Sequence, residues 1–63
     1  MNQKLTVAQI AANQNCTEEE IRGVIHAICD AVNTWGDRND AIDLQLTANR
    51  WGISVPHFWS LWR

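Results

Sequence analysis

Between Thr17 and Gly36 the chain carries one long run with helical periodicity, and this run limits every architecture open to it. Ile21, Val24, Ile28, Ala31 and Trp35 recur at spacings of three and four, with Ile25 and Val32 on the shoulder of the same stripe. Such spacing puts one side of an α-helix in apolar surroundings. Thr17-Glu18-Glu19-Glu20 is a capping box, and its three acids suit the positive end of a helix dipole. Gly36 is a left-handed stop. The predicted helix has about 18 residues and a length of roughly 27 Å. In a chain of 63 residues nothing else can serve as the spine.

Three shorter helices are expected around it, and no strand. Thr6-Val7-Ala8-Gln9 is a second capping box, opening a helix through Asn13 with Val7, Ile10 and Ala11 turned inward. Asp37-Arg38-Asn39-Asp40 reads as a polar linker ahead of a helix from Ala41 to Arg50. The apolar set there is Ile42, Leu44, Leu46, Ala48 and Trp51, with Gly52 as the stop. Ser54 caps a last helix, Pro56 falls in its first turn, and Phe58, Leu61 and Trp62 form its apolar face. The expected fold is therefore all-α: four helices, three short ones around a central one, in a single domain over residues 1–63.

A chain this short buries only about 60% of the surface its unfolded state exposes, so self-association is a common remedy. The spine stripe from Ile21 through Val24, Ile28 and Ala31 to Trp35 is wide enough for two uses. It is either a symmetric dimer seam or a central helix covered on two sides by the other three. The residues 51–63 hold three of the four tryptophans, the one phenylalanine and the one proline. Aromatic side chains carry the largest burial energies, so this end either closes the core or offers an anchor to a partner. The preferred reading is a protein partner engaged by Trp59, with Arg50, His57 and Arg63 as its polar rim.

Other chemistry finds little footing. A formal charge of -2 gives no global attraction to phosphate, which disfavours DNA as a partner. Cys16, His26, Cys29 and His57 are ligand types for zinc, but no Cys-x-x-Cys pair exists, and no metal or cofactor is expected. Cys16 and Cys29 are expected as reduced thiols, with Cys29 on the polar face beside the Arg22, His26 and Asp30 ladder. Gly23, on that face too, hints at close approach of another backbone. Asp37, Asp40 and Asp43 lack the glycine and terminal glutamate of a calcium loop. No nucleophile–base pair or phosphate-binding loop is present, so no catalytic residue is expected and the protein reads as a non-enzyme. No run approaches the ~20 apolar residues of a membrane span, and Met1-Asn2-Gln3-Lys4 is too polar for a signal peptide, so a cytoplasmic protein is expected.

The two halves echo each other. Ala11 to Ile21 has the frame of Ala48 to Phe58: a small residue, a turn four positions on, a residue to plug the corner, a hydroxyl cap, and an apolar anchor. In the second copy, Leu46-Thr47-Ala48-Asn49-Arg50-Trp51-Gly52-Ile53-Ser54 followed by Phe58-Trp59-Ser60-Leu61 resembles the helix-turn-helix of excisionase-type and phage-regulator modules. That resemblance implies a small phage- or prophage-like regulator. It also supplies the competing reading, a DNA-binding regulator with Ser54, His57 and Trp59 toward the groove. The first copy points Glu18, Glu19 and Arg22 outward, and those carboxylates repel phosphate, so it reads as structural.

Overall fold

The computed structural model describes residues 4–62 and is built of four α-helices. They are α1 (Val7–Gln14), α2 (Glu18–Trp35), α3 (Arg38–Trp51) and α4 (Val55–Trp62). The all-α expectation stands, with α2 touching each of the other three. None of these helices is long and apolar enough to cross a membrane.

The caps explain where the helices begin. Thr6 Oγ1 accepts from the Gln9 amide at 3.2 Å, and Gln9 Oε1 accepts from the Thr6 amide at 2.8 Å, a complete capping box. Thr17 Oγ1 accepts from the Glu20 amide at 3.1 Å and donates to Glu20 Oε1 at 3.1 Å. Asp37 takes the third cap, accepting from the Asn39 amide at 3.0 Å. Helix α3 therefore starts at Arg38, three residues before the expected Ala41, because the first aspartate of the supposed linker already ends it. Asn15, Gly36 and Gly52 close the preceding helices in the left-handed conformation, with φ of 58°, 63° and 74°.

The core consists of Ile10, Ala11, Ile21, Ile25, Cys29, Leu44, Ala48, Trp51, Ile53 and Phe58. Trp51 and Phe58 stack with centroids 5.3 Å apart and planes at 19°, so much of the C-terminal aromatic mass closes the core. The buried line of α2 is Ile21, Ile25 and Cys29, with Ile28 and Val32 packed beside it. Relative to the expected stripe it is rotated by roughly 60°, reckoning 100° per residue.

Several expectations change with that rotation. Cys29 is fully buried and not on the polar face, because it lies one turn beyond Ile25. Burial, with the Asp30 charge adding, pushes its thiol from 9.0 up to about 11. Val24 and Trp35 become exposed, at 38% and 78%. On α3 only Leu44, Ala48 and Trp51 are buried; Ile42 and Leu46 face outward. Residues 42, 44 and 46 alternate with period two, and a helix cannot bring all three to one face. Within the chain no backbone comes close to Gly23: a Cβ there would meet nothing within 4 Å among the described residues.

Candidate functional site

The two corners share their backbone bonds as well as their sequence frame. At the first, the Cys16 amide donates to Ala11 O at 2.9 Å and the Asn15 amide to Ala12 O at 3.3 Å. At the second, the Ile53 amide donates to Ala48 O at 3.0 Å and the Gly52 amide to Asn49 O at 3.1 Å. Ala11 and Ala48 are both buried, letting the helices approach, and so are the anchors Ile21 and Phe58.

They differ at the plug. Ile53 turns into the core, whereas Cys16 is exposed, against the expectation of a buried residue in both copies. The Cys16 thiol donates to Gln14 O at 3.4 Å and stays at the surface. Beside it a cleft of about 360 Å³ runs between the start of α2 and the end of α3. Ile21, Val24 and Trp51 supply its apolar lining; Glu20, Thr47 and Arg50 are its polar lining. Gln14 Nε2 donates to Arg50 O at 3.5 Å and joins the first corner to the end of α3.

Val24 also begins an exposed strip on α2. Ile28 and Ala31 follow, both half-buried, and Trp35 ends it. The strip and the cleft are thus one continuous surface. Of the expected seam, Ile21 is taken by the monomer's core at 2% exposure and reaches the surface only as cleft lining. Ile42 and Leu46, one turn apart on α3, form a separate exposed apolar pair at 48% and 60%. Sequence reasoning assigned that pair to the core, and only the period-two conflict with Leu44 signalled otherwise.

The expected partner-binding residues Arg50, His57 and Trp59 make different contacts. Trp59 is half-buried and meets Trp62 edge-on at 5.7 Å. His57 Nε2 lies 2.7 Å from Leu5 O. A carbonyl only accepts, so Nε2 carries the proton and ties the segment before α1 to α4. Arg50 is exposed on the cleft, with no ion-pair partner among the described residues. Arg63 lies outside the described residues. On α4 the exposed positions are Pro56 and Ser60, and among the described residues the helix carries no lysine or arginine to meet phosphate.

No three His, Cys, Asp or Glu side chains gather into a metal-binding group among the described residues. Arg22 and Glu18 form an exposed ion pair at 3.8 Å, while His26 pairs with no acid among the described residues. Comparison with protein-family models, with curated proteins and with solved structures gives no match.

Proposed function

We propose that this chain is a small non-enzymatic accessory or regulatory protein that works by protein–protein contact, as a homodimer. Trp35 is the observation that carries this reading. It is 78% exposed at the end of an apolar strip. Tryptophan is among the residues most enriched where protein interfaces gain their energy. Four large apolar side chains left in water on α2 and α3 are costly in a chain whose own core is small. Contact by a partner removes that cost.

The anchor moves accordingly from Trp59 to Trp35. Trp59 shares its surface with Trp62, and His57 is committed to Leu5, so the C-terminal set is a secondary contact surface. Small size and the paired corners support a protein of the kind phages and prophages encode. A DNA-binding role gains no support from α4.

Affinity capture with quantitative mass spectrometry tests the reading, comparing wild type with Trp35→Ala and Trp59→Ala. A protein enriched by the wild type and lost with Trp35→Ala is the expected outcome. Binding to labelled duplex DNA that weakens with salt, with no protein enriched, would overturn it in favour of a DNA-binding regulator.

A further inference from the structure

We infer that two copies of this chain pair antiparallel along α2, each Trp35 filling the cleft at the other's first corner. The inference rests on the protein-contact reading and gives that contact its occupant, a second copy.

Spacing is the first argument. Ile21 and Trp35 lie seven residues to either side of Ile28. At a rise of 1.5 Å per residue each is about 10.5 Å from it. A two-fold axis beside Ile28 therefore lays Trp35 over the partner's Ile21, which lines the cleft. Ala31, three residues past Ile28, comes within one residue's rise of the level of the partner's Val24, four residues before it, and its small side chain lets the two helices approach. The surface is self-complementary, as a two-fold interface requires.

Shape and charge agree with that register. The cleft of about 360 Å³ is lined by Ile21, Val24 and Trp51, an apolar bed for one aromatic side chain. Trp35 is the most exposed large apolar residue among those described. Glu20 and Arg50 line the cleft, and Asp37 and Arg38 follow Trp35 within three residues. None of these four is in an ion pair, since the pair among the described residues is Arg22–Glu18. An antiparallel arrangement brings Arg38 toward the partner's Glu20 and Asp37 toward the partner's Arg50. A parallel one would instead gather Glu18, Glu19 and Glu20 of both copies and leave both clefts empty. Each antiparallel contact occurs twice.

A single helix pair is small beside the ~800 Å² per partner of a standard interface, so a micromolar dimer is expected. Sedimentation equilibrium from about 5 µM to about 500 µM spans that range. The wild type should pass from monomer to dimer. Trp35→Ala should weaken the dimer at least about 100-fold, with its helical circular dichroism unchanged because the side chain is exposed. Glu20→Arg and Arg38→Glu should each weaken it, and the double variant should restore it. A wild type that stays monomeric throughout, or a dimer indifferent to Trp35→Ala, would overturn the inference. A dimer sensitive to Trp35→Ala but not restored by the charge swap would overturn the antiparallel register. A monomeric wild type that still captures a protein through Trp35 would sink the dimer and leave the protein-contact reading intact. A Trp35-dependent dimer that captures no other protein would uphold the dimer and overturn the capture of a separate partner expected above.

Discussion

The two helix corners of this molecule begin from one frame and end in different surfaces. Both use a buried alanine, a left-handed turn residue, a hydroxyl side chain at the next helix start and a buried anchor one turn later. At the second corner Ile53 fills the space between the helices. At the first, Cys16 stays outside and a cleft lies beside it. The frame therefore specifies how two helices meet and leaves open what the meeting is for. The plug position is filled by isoleucine at one corner and left open by cysteine at the other.

Substitutions at matched positions can break this comparison. The anchors should behave alike. Phe58→Ala should cost about 3–5 kcal/mol and Ile21→Ala about 2–5 kcal/mol, read from urea unfolding followed by circular dichroism. Either variant unfolding at the wild-type midpoint would mean that its corner is not held by its anchor. The plugs should behave differently. Ile53→Ala should cost about 2–4 kcal/mol, and Cys16→Ala should stay within about 0.5 kcal/mol, because only the first empties a packed site. Equal losses at the two would remove the distinction between sealed and open corners.

The turns sharpen the comparison further. Gly52→Ala should lose about 1–2 kcal/mol, since φ is 74° and a Cβ is strained there. Asn15 already tolerates φ of 58°, so Asn15→Gly should shift stability by a few tenths of a kcal/mol, about the limit of the measurement. A pH dependence separates the buried thiol from the exposed one. The folded protein holds the Cys29 proton up to about pH 11, while the unfolded chain releases it near 9.0. Cys29 thus adds stability below pH 9.0 that is lost as pH rises toward 11. Unfolding free energies of the wild type should fall more steeply over that window than those of Cys29→Ala; parallel slopes would contradict the assignment.

Most of the fold was legible because caps and stops are local. Thr6, Thr17 and Ser54, with Gly36 and Gly52, mark boundaries through bonds spanning a few residues. The corner frame was legible for the same reason. Which face of a helix turns inward is a tertiary matter. Cys29 and Val24 both suit the surface or the core on polarity alone, and packing of α3 and α4 against α2 decided between them. Leu46 carried a warning in its alternation with Leu44, but Trp35 carried none: an indole at a helix end reads as core until its neighbours are known. The His57–Leu5 bond joins residues 52 positions apart, and no local pattern announces it.

The α2 strip and its cleft are the proposed working surface. Heteronuclear NMR on dilution tests it directly, because the four tryptophan indole N–H groups report separately. Shifts of the Trp35 indole that move with concentration, together with Val24, Ala31 and the cleft residues Glu20 and Arg50, are the predicted result. Trp59 and Trp62 should stay still. Spectra that do not change with concentration, or changes confined to α4, would contradict the account.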